Sequence, residues 1–393
     1  MENSKKMDIF FHKTNIGQDE IDSVVEALKS GWTTMGPKTI EFERKFAEFM
    51  INKYSSPITY NTEYLQTISL NSATAALHLS LKAIGLQKDD EVIVPTNTFV
   101  ATAEVVTYFN AKPVLCDIEY DTHNMDVSKI EELITDKTKA IIPVHFAGQP
   151  CDMDEIFELA RKYDLKVIED AAHALPSYYK NTIIGGLNSD VTCFSFYATK
   201  TLATGEGGMA VTKNDTYAQK IRINRLHGIS KDAWNRYSKK GNWYYEVVDN
   251  GNKYNMTDMN AALGVVQLNK LEWMSEKRRI IAEKYNNAFS KIDNIVIPYI
   301  KDDRQTSWHL YVIKVKNRDE LIEKLNESGI GTSVHFIPVH KHPYYKDTYN
   351  YQDKNYPIAN KVFDESISLP IYPDLTDEEL HYIIENVIKY VKA

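Results

Sequence analysis

Cysteine is scarce. The 393 residues hold three, Cys116, Cys151 and Cys193, an odd number with no CxxC pair. That excludes a disulfide framework and a structural zinc site of the usual spacing, and it fits a reducing, cytoplasmic setting. Long apolar runs are lacking too: the N-terminal MENSKKMDIFFHK has no signal-peptide core, and no later stretch approaches the ~20 apolar residues of a membrane span. Positive charge is in the minority, with 46 Lys and Arg against 54 Asp and Glu, for a net charge of -8. No overall field therefore draws the chain to nucleic acid or to a membrane surface, and any anionic ligand must be held by local groups. Glycine (16) and proline (13) are too few for a collagenous or low-complexity chain, whereas 43% hydrophobic residues support a deep core.

From about Ile68 to Val211 short β-rich runs alternate with amphipathic stretches. This predicts an α/β fold, with βα units building a mostly parallel central sheet covered by helices on both faces. The runs are Glu91–Val94, Pro113–Cys116, Ala140–Val144, Lys166–Ile168 and Val191–Phe196. Between them Leu77, Leu81 and Ile84, and again Ile156, Leu159, Ala160 and Tyr163, recur at helical spacing. A long connecting helix opens at Thr257-Asp258 and continues to about Phe289. Beyond it Trp308–Val315 and Gly331–Phe336 read as strands flanking a helix at Arg318–Glu327, and Thr376–Val391 begins on a capping box, TDEE. The expected domains are a large one, 1–270, with the N-terminal segment and the start of the long helix, and a smaller α+β domain, 271–393. Gly228–Tyr254, polar and aromatic without periodicity, reads as a long loop of the kind that often carries function.

Four segments carry candidate chemistry. In FSFYATKTLATGEGGM a strand runs into a loop holding Lys200, whose amine can form a Schiff base with an aldehyde cofactor, and Ser195 is placed to donate to a phosphate. In KVIEDAAHALPS, Asp170 ends a strand where it can pair with a protonated pyridine nitrogen, and His173 follows within reach of the ring. Asn71-Ser72-Ala73-Thr74 opens a helix, where free N–H groups and hydroxyls hold phosphate without a lysine. Phe99, a few residues past a strand, can lie against a planar cofactor. Singly these are ordinary residues: a surface lysine, a helix cap, a core histidine, a core phenylalanine. Together, four distant segments each place a needed group at the carboxyl edge of a sheet. A dinucleotide reading of Gly205, Gly207 and Ala210 fails because a strand-like MAVT follows instead of a helix. No metal is expected at His335, His340 and His342, whose spacing is no helical pair and which lack a local carboxylate.

The motifs GWTTMGP (31–37), NSATAALHL (71–79), PTNTFVATA (95–103), EDAAHA (169–174), SFYATKTLATGEGG (195–208) and KYNMTDMNAALGVVQL (253–268) span nearly the whole chain. In them the sequence closely resembles the DegT/DnrJ/EryC1/StrS sugar aminotransferases, pyridoxal 5'-phosphate enzymes of fold type I. The resemblance implies that Lys200 holds the cofactor as a Schiff base, that Asp170 pairs with its ring nitrogen and that His173 lies at the ring. It further implies phosphate binding by Ser72, the Ala73 backbone and Ser195, stacking by Phe99, and a homodimer in which Asn255 reaches the neighbour's cofactor phosphate. The implied reaction moves an amino group from L-glutamate, leaving 2-oxoglutarate, through pyridoxamine phosphate to a nucleotide-linked keto sugar. C-4 of a 4-keto-6-deoxyhexose is the favoured acceptor, in surface-polysaccharide or amino-sugar biosynthesis. Family positions suggest His12, Trp32, Thr33, Thr34, His335 and Phe336 as sugar contacts, and Lys38, Arg225, His227 and Arg236 as diphosphate contacts. Relatives that dehydrate the sugar carry histidine in place of the lysine. Lys200 favours transamination, and with Asp170 it weighs against a cofactor-binding regulator without turnover.

Overall fold

The computed structural model describes residues 6–53, 65–230 and 244–392. Seven strands form the main sheet: β1 Gln66–Leu70, β2 Glu91–Pro95, β3 Lys112–Cys116, β4 Thr138–Ile141, β5 Lys166–Asp170, β6 Val191–Ser195 and β7 Gly208–Thr212. Their order is β1-β7-β6-β5-β4-β2-β3. Only β7, wedged between β1 and β6, runs against the others. The strands read as short apolar runs because both faces are buried. Val92 and Val94 of β2 enter one core while Ile93 enters the other. Helices α1 Gln18–Lys29, α2 Pro37–Asn52, α3 Ala73–Ile84, α4 Ala101–Thr107, α5 Met153–Tyr163 and α6 Asp215–Asn224 accompany the sheet. The first two lie outside the elements read from the sequence, although Thr39, Phe42, Phe46 and Met50 recur at helical spacing and are buried.

The long helix α7 spans Asp258–Phe289 and is capped by Thr257, whose side chain accepts from Asn260 N. Ala261, Val265, Leu268 and Leu271 pack in the core behind the sheet, whereas Ile281, Ala282, Tyr285 and Phe289 belong to a third core. That core holds the antiparallel strands β8 Tyr311–Lys314 and β9 Ser366–Leu369 with helices α8 Arg318–Glu327 and α9 Asp377–Lys392. The capping box of α9 is formed: Thr376 N donates to Glu379 and Glu379 N donates to Thr376 Oγ1. The expected division at 270/271 thus falls inside a continuous helix. Two segments cross it, since Ile9 joins the third core beside Ile330, and Tyr345, Tyr351, Tyr356, Ala359 and Val362 join the first.

Two expected strands are corrected. Trp308 adopts φ +50°, so the strand begins only at Tyr311. Residues 331–336 are irregular, with a single bridge from Ser333 to Ser368, because the chain leaves the sheet and Phe336 N turns to Asn97 Oδ1. The three cysteines are free and buried. Among the described residues no helix is long and apolar enough to cross a membrane.

Candidate active site

The carboxyl ends of β1, β5 and β6 bring Ser72, Asp170 and Ser195 to one edge of the sheet. Asp170 is buried. Its Oδ2 accepts from Thr102 Oγ1 at 2.7 Å and its Oδ1 from Ala172 N at 3.2 Å. Thr102 in turn shares a 2.7 Å hydrogen bond with Thr98, four residues earlier in the bend before α4. Burial pushes the Asp170 carboxyl up against these two neutral donors. A carboxylate in this state favours a cation opposite it, and a protonated pyridine nitrogen is one.

Lys200 follows β6 and the turn that closes with its N–H on Tyr197 O. Its Nζ stands 3.4 Å from His309 Nε2. Burial lowers the amine to about 8, offset in part by Asp170 and deepened by Arg278. Near neutral pH a nucleophilic fraction is therefore present. His173 is buried, its ring stacked on Phe336 at 5.8 Å and 4.3 Å from His309. Its Nδ1 is enclosed without a partner, as is His309 Nδ1. Phe99 is 59% exposed with its ring 6.0 Å from Phe336, a surface open to a flat ligand.

Ser72 caps α3, its Oγ accepting from Ala75 N at 3.1 Å, and the Ala73 N–H belongs to the first turn, which has no intrahelical acceptor. Strand β7 passes hard against this turn. A Cβ on Gly208 would meet Ser72 C and O at 2.4 Å and Ala73 N at 2.6 Å, so glycine is needed there. Ser195 is half-buried, and its Oγ accepts from Tyr197 N at 3.3 Å. Asn255 bridges to Leu70, and its side chain donates to Met256 O. An under-compensated acid, a near-neutral amine, a helix start and an open aromatic face fit pyridoxal phosphate.

The residues expected at the substrate fall into separate groups. His12 and His335 line a small cavity with Phe11, Thr199 and His309, directly beside Lys200. His12 Nε2 lies 3.0 Å from Ala198 O, and burial holds both histidines near 4, hence neutral. Phe336 packs among Phe99, Phe146 and His173. Trp32, Thr33, Thr34 and Lys38 sit around the α1–α2 connection, where Trp32 Nε1 donates to Met35 O and Lys38 faces Glu26 at 3.1 Å and Glu41 at 3.7 Å. His227 is exposed with φ +59°. Arg225, expected at the diphosphate, is 4% exposed; its Nη1 donates to Glu43 and to Ser69 O, and its Nε is buried without a partner. Arg236 lies outside the described residues.

Sequence reasoning missed Thr102, His309 and Arg278. Thr102 lies inside a motif already singled out, PTNTFVATA, without a signal of its own in the sequence. His309 carried no local signal of its own, lying inside the stretch Trp308–Val315 read as a strand.

A doubly covered parallel sheet whose carboxyl edge gathers a desolvated lysine, a buried acid and a helix start defines a pyridoxal-phosphate enzyme of fold type I. The pattern of the DegT/DnrJ/EryC1/StrS aminotransferase family matches residues 14–388, and the chain belongs to that family. It is a pyridoxal-phosphate-dependent sugar aminotransferase. It is 46% identical over 385 residues to the spore coat polysaccharide biosynthesis protein SpsC of Bacillus subtilis, covering 96% of each chain. An uncharacterized protein of Methanocaldococcus jannaschii is 49% identical over 382 residues, again 96% of each. Among solved structures, a putative sugar aminotransferase from Streptococcus pneumoniae in its PMP form superposes with TM-score 0.89 at 36% identity, covering 98% of this chain and 99% of that one. Helicobacter pylori PseC, an aminotransferase of pseudoaminic acid biosynthesis, gives 0.87 at 28% identity over 98% of this chain and all of its own.

Proposed function

We propose that the enzyme takes the amino group of L-glutamate, releases 2-oxoglutarate and delivers the nitrogen to C-4 of a nucleotide-linked 4-keto-6-deoxyhexose, in the cytoplasmic synthesis of a surface polysaccharide or related glycan. The observation that carries this reading is the pairing of a buried acid, Asp170, with a desolvated amine, Lys200, at one strand edge. The names of SpsC and of PseC support an amino-sugar product bound for a glycan.

In this reading Asp170 would hold a proton on the cofactor's ring nitrogen, while Ser72 Oγ, the Ala73 N–H and Ser195 Oγ would hold its phosphate. Phe99 would lie against the ring and His173 would stand beside it. When bound, pyridoxal phosphate supplies the electron sink that lets the amino carbon of the donor lose its proton. Lys200 Nζ takes that proton in its free-amine form and returns it at the next position. His309, Phe336 and Phe146 exclude water from the inner side. His12, His335, Phe336, Trp32, Thr33 and Thr34 are assigned to the sugar, and Lys38, His227 and Arg236 to the diphosphate. Lys38 would exchange Glu26 for a phosphate oxygen. Asn255 of each copy would complete the other's phosphate site in a homodimer. The exposed Tyr244, Tyr245, Val247 and Val248 are the kind of apolar surface such a contact would bury.

The deciding experiment supplies ¹⁵N-glutamate with UDP-, GDP- and dTDP-linked 4-keto and 3-keto sugars and follows the label by NMR and mass spectrometry. Label at C-4 of one 4-keto substrate is expected. Label at C-3, or a deoxygenated product with free ammonia, would overturn the assignment.

A further inference from the structure

His309 meets the reacting end of Lys200 from the side of the third core. Beyond the 3.4 Å contact with Nζ, the ring lies 4.3 Å from that of His173, and the backbone that carries it is held at several points. His309 N donates to Ala147 O at 3.1 Å. Arg278, 1% exposed on α7, donates through Nη1 to the carbonyls of Trp308 (3.3 Å), His309 (3.3 Å) and Ile371 (2.8 Å). Trp308, at φ +50°, turns the backbone so that the next side chain faces the site. Among the described residues Arg278 has no carboxylate partner, so this buried guanidinium is committed to holding backbone.

We propose that His309 is a positioning residue for Lys200: as the neutral Nδ1–H tautomer it accepts a hydrogen from Nζ and leaves the amine's lone pair free for the cofactor's carbonyl carbon. The inference rests on the reading of Lys200 as the cofactor-capturing amine. A free amine has two hydrogens and one lone pair. An imidazole that donated to Nζ would occupy that lone pair, whereas one that accepts restricts rotation without blocking it. The groups facing the ring are Lys200, His173, Arg278 and His335, and with burial they hold His309 neutral, able to accept. Capture joins Nζ to the aldehyde carbon with loss of one water and exchanges no electrons.

The test uses the full-length apoenzyme and pyridoxal phosphate, reading the rate of cofactor capture by absorbance from neutral to alkaline pH. His309→Gln sets an amide oxygen near the place of Nε2, His309→Asn sets it near Nδ1, and His309→Phe keeps the bulk without an acceptor. The wild-type rate is expected to rise to a plateau with its midpoint near 8. Gln should stay within about twofold of that plateau while Asn and Phe fall roughly tenfold, the worth of one hydrogen bond to a reacting nitrogen. Should Phe match the wild type, or Gln fall as far as Asn, the ring merely fills space and the proposal is overturned. If the Phe variant does not fold, the Gln and Asn pair decides alone. A wild-type chain that captures no cofactor would instead overturn the parent reading.

Discussion

Glu169 and Asp170 are neighbours on β5, both buried, and alternation sends them to opposite sides of the sheet. Glu169 accepts from His145 Nε2 at 2.8 Å, from Ser189 Oγ and from Thr192 Oγ1 at 2.7 Å. His145 Nδ1 accepts from Cys151 N, which fixes the tautomer that donates to Glu169. Burial alone would raise the Glu169 carboxyl, yet these donors outweigh it and hold it low. Asp170 has two donors, and burial wins. The difference separates structure from chemistry: a carboxylate with its acceptor sites filled has no work left, while its under-supplied neighbour is open to a cationic ligand.

The sharpest way to break that contrast leaves both acids alone. Lys200→Ala should cut turnover by roughly 10⁴-fold or more, measured as 2-oxoglutarate release, with an unchanged circular dichroism spectrum. Asp170→Asn should lower kcat roughly 10²–10³-fold, since an amide cannot hold the ring's proton electrostatically. Without cofactor, the same variant should be more stable than the wild-type apoenzyme at neutral pH. A folded carboxyl raised above its unfolded value favours the folded state when protonated and opposes it as pH rises, so the gain should vanish in acid. Parallel urea titrations at acidic and neutral pH check the sign. Glu169→Gln should do the reverse, costing about 1–3 kcal/mol of stability at neutral pH with little change in cofactor capture. Thr102→Val, which removes one of Asp170's donors, should weaken retention of pyridoxal phosphate only three- to tenfold, or roughly one neutral hydrogen bond, read by equilibrium dialysis.

The placement of candidate residues at strand ends was legible because it is local. Asp170, Ser72 and Ser195 stand at or just past the end of an apolar run and Lys200 follows in the turn after β6, and strand termination is written in a few residues. What escaped depends on distant partners. His309 is 109 residues from Lys200, and Arg225 is claimed by Glu43 across 182 residues, which no spacing rule anticipates. The strand expected at 331–336 failed for a related reason: its composition suits a strand, but the chain is drawn toward Asn97 and the site instead. The division at 270/271 could not be read more finely, because Ile9 and Tyr345 pack with sequence-distant neighbours.

One carboxylate sets the geometry of a further region. Asp258, at the first position of α7, accepts from Gly36 N (2.7 Å), Lys38 N (3.0 Å), Thr39 N (3.0 Å) and Thr39 Oγ1 (2.6 Å), capping α2 from another helix. The Trp32–Thr34 segment is tied to the same post, since Asp258 N donates to Thr34 O at 3.1 Å. If this segment meets the sugar as proposed above, its side chains can be exchanged to alter which hexose is accepted without loosening an anchorage that runs through backbone groups.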